Sequence, residues 1–225
     1  MNKKKIQALA VSGVLTVGVI GGTLAWFTSQ DQLTNVFNTG SNDDKESKTG
    51  IKIIEEFEKP ENMLPGDEVN KDVQVSNTTT YDQFIRVKLT PKFVDTTKDR
   101  KEIKEVNGKK LDINKIELNF TKNLNETKAS GTWVDGEDGY YYYMGKVATE
   151  KWTNTLLDSV TLAKNAGNEY RGLGFDIDIE ADSIQASHDA YNDWVKSDEL
   201  KNIFSKLQSQ NAVNPTDPKE PNKNN

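Results

Sequence analysis

The sequence of 225 residues contains no cysteine and a single histidine, His188. The absence of cysteine excludes a disulfide framework, a thiol nucleophile and a thiolate zinc site. One histidine offers a serine-histidine-aspartate triad a single candidate base, and no His-Glu-x-x-His motif occurs. A lone histidine at the start of a helix is usually a surface residue. We therefore predict no catalytic residue, no metal site and no cofactor.

Positive charge is also in short supply, because 29 lysines and arginines face 35 acidic residues. Three acids, Asp176, Asp178 and Glu180, alternate along one segment, which places their carboxylates on one strand face about 7 Å apart. Such a row can bind calcium together with loop oxygens. A solvated acidic face opposite Phe175 and Ile177 is the commoner arrangement. The excess of acid also argues against a nucleic-acid partner.

Long apolar runs are confined to the N-terminus, where three lysines precede an uncharged run at residues 6–27. The run ends at Thr23-Leu24-Ala25, a small-x-small pattern typical of a secretory signal peptide. We predict cleavage between Ala25 and Trp26, and a retained membrane anchor is the alternative, since about 20 apolar residues can span a bilayer. Cleavage removes three lysines and no acid, which changes the formal net charge from −6 to −9. Membrane contact is then confined to the precursor.

The polar segment after this bond carries five large apolar residues, Trp26, Phe27, Leu33, Val36 and Phe37. On a free N-terminus, such a segment can add as a donor strand to the open sheet edge of another subunit. Because the two contacting surfaces differ, this contact is heterologous and propagates into a filament. The alternative is that the segment folds back as the first strand of its own domain.

Alternation of apolar and polar residues with period two dominates the remaining chain and predicts strands. Leu64-Pro65-Gly66-Asp67 suits a type II turn, and the glycine-rich residues 135–139 suit a hairpin connection. After Ala186 the period becomes helical, with Ser187 and Ser197 as predicted N-caps. The predicted strands cover residues 51–57, 69–75, 85–89, 116–120, 132–134, 140–144, 159–163 and 173–181.

These elements predict a mainly β fold, an antiparallel jelly-roll-like sandwich with a short C-terminal helical segment. The charged stretch at residues 96–110 is predicted to be a surface loop or insertion. The predicted divisions are a signal peptide at 1–25, an N-terminal donor segment at 26–40, a jelly-roll-like domain with helical decoration at 41–210, and a disordered tail at 211–225.

Three sequence blocks occur in a characteristic order. They are GGTLAWFTSQDQLTNVFNTG at residues 21–40, LPGDEVNKDVQVSNTTTYDQFIRVKLT at residues 64–90, and FDIDIEADSIQASH at residues 175–188. In the third block, Ile184 and Gln185 belong to a strand-ending Ala-x-x-Ile-Gln-Ala pattern. Together the blocks resemble the TasA, camelysin and BsaA group of biofilm-matrix proteins, which are exported with a SipW-type signal peptidase.

The resemblance implies a secreted fibre subunit in the extracellular matrix or on the cell surface of a Gram-positive bacterium. It also implies the partners, namely the SipW-type peptidase, further copies of the chain in a head-to-tail homopolymer, and other matrix proteins. Residues 26–40 would be the donor strand. Lysine-asparagine isopeptide crosslinks remain open, because no pair stands out.

A second function follows from the same resemblance, because camelysin-like relatives are often labelled metallopeptidases. A secreted or surface metallopeptidase is therefore the alternative. The chain departs from it, since one histidine and no zinc motif provide no recognisable ligand set.

Overall fold

The computed structural model describes residues 28–34, 50–57 and 64–216, and for residues 28–34 and 55–57 it describes the backbone alone. Strands dominate these ranges, and the single α-helix among the described residues lies after the last strand. The elements are β1 (Thr28–Thr34), β2 (Ile51–Phe57), β3 (Glu68–Asn77), β4 (Gln83–Asp95), β5 (Lys101–Glu102), β6 (Glu105–Val106), β7 (Lys109–Lys110), β8 (Ile116–Phe120), β9 (Trp133–Asp135), β10 (Tyr141–Tyr143), β11 (Leu157–Leu162), β12 (Leu173–Gln185) and α1 (Asp198–Leu207).

Short 3-10 helices cover Ile113–Lys115, Asn168–Tyr170 and Ala190–Asp193. In the part of the chain that the structure describes, no helix is long and apolar enough to cross a membrane.

The strands form two main antiparallel sheets. Sheet A has the order β1-β12-β4-β10-β9, with β5 also pairing with β4, and sheet B has the order β2-β3-β11-β8. Strands β6 and β7 form a separate hairpin within the predicted surface segment at residues 96–110. Every predicted strand overlaps an observed one. The predicted fold class, an antiparallel β sandwich with a short C-terminal helical segment, is confirmed.

The main core lies between the two sheets and follows from the alternation in the strands. On β12, Phe175, Ile177 and Ile179 are buried in this core, together with Val73 and Val75 of β3. Trp133 is fully buried, and its indole N–H donates to the Asn154 carbonyl at 2.8 Å. Apolar core residues at alternate positions on both sheets are the pattern expected of a sandwich.

Strand β4 contains a proline in spite of its central position. All thirteen of its residues pair with β12, and Pro91 is the register partner of Ile177. The Phe93 carbonyl accepts a hydrogen bond from the N–H of Ile103, which directly follows β5. Phe93 and the other odd-numbered residues of β4 therefore direct their backbone groups away from β12. At position 91 a backbone N–H would point away from β12. The proline therefore removes no hydrogen bond between β4 and β12, and this is how strands tolerate proline.

The Leu64–Asp67 turn leads into β3 and contacts the end of β11. Asp67 N–H donates to the Leu64 carbonyl at 2.9 Å, and Gly66 has a φ of +96°, as a type II turn requires at this position. Gly66 N–H also donates to the Leu162 carbonyl at 2.6 Å. The predicted turn is confirmed, and its hydrogen bonds join it to sheet B.

The C-terminal helical segment covers one end of the outer face of sheet A and forms a second core. Ser197 is the N-cap of α1, as predicted, and its hydroxyl accepts from Leu200 N–H. The prediction that Ser187 is an N-cap is wrong, because the cap residue is Asp189 with a left-handed φ of 60°. The Ser187 hydroxyl oxygen instead accepts a hydrogen bond from the side-chain amide of Gln185.

Residues 211–216, part of the segment predicted to be a tail, lie against the sandwich. Val213 N–H donates to the Lys146 carbonyl at 2.9 Å, and Thr216 N–H donates to Asn154 Oδ1 at 2.7 Å. A Cβ atom added to Gly145 would lie 2.2 Å from Val213 Cγ2, whereas Gly145 itself leaves room for that side chain. The remaining residues of the predicted tail lie outside the described residues.

Replacing Gly145 with alanine is expected to displace residues 211–216 from this seat. Two effects act together, since the new methyl group overlaps Val213 and the φ of +156° disfavours a residue with a Cβ atom. We expect faster hydrogen exchange at Val213 and Thr216 and a loss of about 1 to 3 kcal/mol in unfolding free energy. The matched variant Gly139→Ala, where nothing lies within 4 Å of the new Cβ, leaves exchange at both amides unchanged.

Candidate functional site

Strand β12 organises the candidate site, because it separates β1 from the rest of sheet A. Its inner face carries Ile177, Ile179 and Ala181, all buried in the main core. Its outer face carries acidic residues in alternate positions. The predicted motif residue Ile184 is buried in the second core, and Gln185 is the last residue of the strand. The inner face of β12 therefore contributes to the main core, whereas its outer face carries charged side chains.

Strand β1 closes the free side of β12. The two strands are antiparallel, and their register runs from Thr28 opposite Ile184 to Thr34 opposite Asp178 without a shift. Even-numbered residues of β12 direct their backbone groups toward β4, so its odd-numbered residues direct theirs toward β1. The main-chain groups of Ile179 and Ala181 thus depend on β1 for their partners.

A second strand borders the same position. β2, the edge strand of sheet B, lies close to both β1 and β12. Ile51 and Ile53 of β2 are buried in the main core, which also contains Ile179 of β12. Strand β1 consequently lies at the margin where the two sheets meet. We call the β12 edge at residues 178–184, with Ile51 and Ile53, the edge groove.

The structure contains one of the five predicted donor residues. Leu33 lies within β1 and is the register partner of Ile179. Trp26, Phe27, Val36 and Phe37 lie outside the described residues, as do Ala25 and the predicted cleavage bond. In the single chain, Thr28–Thr34 is the edge strand of its own sheet, which was the alternative open from the sequence.

The acids on the outer face of β12 are paired with cations, mostly from β4. The four ion pairs are Arg100 to Asp176 at 2.5 Å, Lys92 to Asp178 at 2.7 Å, Lys88 to Glu180 at 3.7 Å and Arg86 to Asp182 at 2.9 Å. Charges directly across neighbouring strands stabilise the pairing modestly when exposed and strongly affect it when buried. This charge ladder, as we call the four pairs, accounts for the acidic row in the sequence.

The described side chains do not fit a metal site. No group of three His, Cys, Asp or Glu residues comes together in the described ranges. The acids at 176, 178 and 180 each face a cation, as the charge ladder shows. His188 has a left-handed φ of 55°, is exposed, and has Nδ1 3.0 Å from the Ser187 hydroxyl. We derive no metal-dependent step from these residues.

Asp176 is the most buried member of the charge ladder, and burial raises the pKa of its carboxyl above 3.8 in spite of Arg100. A raised folded pKa contributes stability that is fully present below the unfolded pKa and is lost as pH rises through the folded one. Relative to Asp176→Asn, whose side chain does not titrate, the native protein is therefore expected to lose unfolding free energy from about pH 3 upward. Urea titrations of both proteins measure this, and a difference independent of pH contradicts it.

Arg86 is the centre of a cluster that sequence patterns did not predict. Its guanidinium lies 4.0 Å from the Tyr140 ring centroid and 4.8 Å from that of Trp194. Two of its nitrogens donate to Asp182 Oδ2 at 2.9 and 3.0 Å. Tyr142 lies beside it and donates to Asp138 at 2.8 Å, and burial raises the pKa of Tyr142 to about 12. The cluster joins sheet A to the helical segment.

One signal in the sequence could have identified the charge ladder. The basic residues Arg86, Lys88 and Lys92 alternate along β4 just as the acids alternate along β12. Complementary charges with the same period indicate two strands paired side by side. No comparable signal indicates the β1 pairing, because residues 28–34 lack a regular apolar alternation.

Comparison with known proteins identifies the family. The family model described as camelysin metallo-endopeptidase matches residues 1–134, more than half of the chain. The match includes the first two sequence blocks, whereas the third lies beyond it. Searches of curated proteins and of solved structures found no match. The chain belongs to the camelysin family, which includes TasA.

Proposed function

We propose that this protein is an extracellular structural subunit that polymerises head to tail by exchanging β1 between copies. In the monomer, β1 occupies the edge groove of its own chain. In the filament, β1 of one copy occupies the edge groove of the next. The observation that supports this is the position of β1, an edge strand paired with β12 along seven residues where the sheets meet. Exchange replaces each contact with an identical one, as in domain swapping.

The connection between β1 and β2 is long enough for exchange. Residues 35–50 separate Thr34 from Ile51, and 16 extended residues span up to about 50 Å. That reach is comparable with the size of a small domain. A donated β1 therefore reaches a neighbouring subunit without any change in β2.

An empty edge groove is a strong acceptor. Without β1, the backbone groups of Ile179, Ala181 and Ser183 lose their partners, and an open sheet edge pairs readily with another strand. Part of the main core, which contains Ile51 and Ile53, also becomes exposed to solvent along this margin, and that exposure is unfavourable. Since contacts in cis and in trans are equivalent, protein concentration decides between monomer and filament.

Export and processing complete the proposal. Removal of residues 1–25 by a SipW-type signal peptidase would free the N-terminus near Trp26, and the segment from Trp26 to Gly40 would then be the donor. The protein would then function in the extracellular matrix or on the surface of a Gram-positive bacterium, with other matrix proteins as further partners. The family carries a metallo-endopeptidase description, but the proposed role requires no catalytic step.

Electron microscopy of two purified forms tests the proposal. One form begins at Trp26 and the other at Gly40, and both are incubated at the same concentration with a chelator present. Filaments are expected from the longer form alone, because the shorter form lacks β1. Filaments from both forms, or from neither, contradict the strand-exchange role. Chelator-sensitive proteolysis by the longer form supports the metallopeptidase instead.

A peptide complementation experiment separates loss of the donor strand from simple misfolding. A synthetic peptide of residues 26–40 is added to the form that begins at Gly40, and a peptide with the same residues in scrambled order is the control. The native peptide is expected to bind and to protect the amides of Ile179 and Ala181 from exchange, since they face β1. Equal protection by both peptides contradicts a specific edge groove.

A further inference from the structure

The two most exposed large apolar side chains of the described ranges lie at the same end of the sandwich. Leu64 is 65% exposed in the turn before β3, and Ile113 is 41% exposed in the 3-10 helix before β8. Both strands are antiparallel to β11, which lies between them, so they begin at the same end of sheet B, about 10 Å apart. Single exposed apolar residues are common, but two at one end of a sheet require an explanation.

The same end of the sandwich also contains the start of β12. The Leu64–Asp67 turn contacts the end of β11, and Ala163, which follows β11, donates its N–H to the Lys115 carbonyl at 2.8 Å. The Tyr170 hydroxyl, three residues before β12, accepts from Asp112 N–H at 2.9 Å. We call this end, where β3, β8 and β12 begin, the turn end.

Leu64 is exposed although its backbone has a fixed position. Its N–H donates to Asp67 Oδ2 at 2.7 Å, and its carbonyl accepts from Asp67 N–H at 2.9 Å. The side chain takes no part in these hydrogen bonds and extends from an ordered turn. Because the backbone is already ordered, little conformational entropy is lost when a partner covers this side chain.

The opposite end of the sandwich contains the start of β2. Ile51 is the register partner of Asn77, the last residue of β3. The Asn77 side-chain amide donates to the Tyr81 carbonyl at 2.8 Å, and Asn77 N–H donates to the Lys151 carbonyl at 2.8 Å. Tyr81 and Trp152, which follows Lys151, are half-buried. We call this the far end, and it offers two partly exposed aromatic side chains.

The direction of β1 determines which ends face each other after strand exchange. β1 begins at Thr28, opposite Ile184 near the end of β12, and ends at Thr34, opposite Asp178. Since β12 begins at the turn end, β1 runs from the far end toward the turn end. β12 continues for five residues beyond Asp178 to Leu173, a distance of about 17 Å.

The connecting segment joins the turn end of the acceptor to the far end of the donor. In the exchanged state, residues 35–50 leave the acceptor in the direction of its turn end and enter β2 of the donor at Ile51. Five of these 16 residues cover the distance to the turn end. The remaining residues span at most about 36 Å, which keeps the donor's far end near the acceptor's turn end.

We propose that the turn end of each acceptor docks onto the far end of the copy that donates β1, so that copies stack end to end. This inference rests on the proposed strand exchange and adds a second contact between the same two copies. Leu64 and Ile113 of the acceptor pack against Tyr81 and Trp152 of the donor. The surfaces differ, so the contact propagates in the same direction as strand exchange. Each contact raises the effective concentration for the other.

A charge at position 64 tests the end contact on the full chain, expressed with its own N-terminal segment and purified as the secreting cell yields it. Leu64→Glu is expected to raise the protein concentration needed for filaments at least about tenfold, because a charge replaces an apolar side chain in the contact. Asn202→Glu adds the same charge at an exposed position on α1, which covers the outer face of sheet A, and is expected to leave that concentration unchanged. Pelleting and electron microscopy measure both.

A labelled peptide of residues 26–40 separates the end contact from strand exchange. The peptide competes with β1 for the edge groove but has no far end, so its affinity for the native chain and for Leu64→Glu is expected to be equal. Filaments from Leu64→Glu at the native concentration, or equal weakening by Asn202→Glu, overturn the end contact and leave strand exchange in place. Loss of peptide binding in Leu64→Glu also overturns it. Absence of filaments from the native chain contradicts strand exchange itself, and the end contact with it.

Discussion

Replacement of Arg86 with alanine is expected to lower the unfolding free energy by about 3 to 5 kcal/mol. The side chains of Arg86 and Asp182 are only 16% and 7% exposed, so the variant leaves the Asp182 carboxylate buried without its cation. The guanidinium also lies over the rings of Tyr140 and Trp194, and that contact is lost as well. Urea unfolding followed by tryptophan fluorescence measures the change.

Lys88→Ala is the matched control for Arg86. Lys88 also pairs across β4 and β12, but the exposed fractions of Lys88 and Glu180 are 40% and 35%, at a distance of 3.7 Å. Solvent screens such a pair, so we expect a loss of about 0 to 1 kcal/mol. Equal losses in the two variants would show that burial does not set the importance of each pair.

Phe204→Ala is expected to have a comparable effect through the second core, about 3 to 5 kcal/mol. Phe204 is fully buried, and its ring centroid lies 4.8 Å from Phe84 in an edge-to-face contact. Tyr142 and Tyr191 contact it from two further directions, both at 6.1 Å. Removal of this ring leaves a cavity between α1 and sheet A.

The location of the Phe204 effect can be measured by hydrogen exchange. Amides of α1 are expected to exchange much faster in the variant, whereas amides of β11, which belongs to sheet B, are expected to change less. Ile203→Ala is the control, since Ile203 lies at the margin of the second core and is half-buried. Equal acceleration in α1 and β11 would contradict a separate second core.

The sandwich was predictable because its strands record their two environments in alternate residues. Ile177 and Ile179 face the main core, while Asp176 and Asp178 face cations, and the period of two is visible in the sequence. The turn at residues 64–67 was predictable for a similar reason, since only glycine readily adopts the positive φ that its third position requires.

The failures have equally local causes. Ser187 precedes a helical period and is a suitable cap residue, but Gln185 competes for its hydroxyl and the chain turns at Asp189 instead. The Arg86 cluster brings together residues from β4, β10, β12 and the helical segment, and no spacing along the chain predicts such a contact. The pairing of β1 depends on backbone hydrogen bonds with β12, which every residue type except proline can form, so residues 28–34 carry no distinctive pattern.

At the candidate site, too, sequence patterns predict some features, whereas others become visible only in the structure. The sequence singles out the segment after Ala25 only by its apolar residues on a polar stretch, and its role as a donor stays a prediction. The pairing of residues 28–34 with β12, and the closeness of β2, required the sheet order. The proposed monomer and filament contain the same contacts between β1 and β12. They differ only in whether the two strands belong to one chain or to two.

Strand exchange is tested most directly by single cysteines in two separate chains, which is practical because the protein has no cysteine of its own. Gln32 of β1 and Glu180 of β12 are register partners. They form a pair without mutual backbone hydrogen bonds, with Cα atoms about 4.5 Å apart, which suits a disulfide. Chains carrying Gln32→Cys are mixed with chains carrying Glu180→Cys, assembled, and then oxidised.

Strand exchange predicts covalent dimers on a non-reducing gel from the assembled mixture, and few from either variant alone. A bond within one chain is impossible, because each chain has one cysteine. Filaments that yield no covalent dimer from the mixture would show that β1 remains on its own β12, and would contradict head-to-tail assembly by strand exchange.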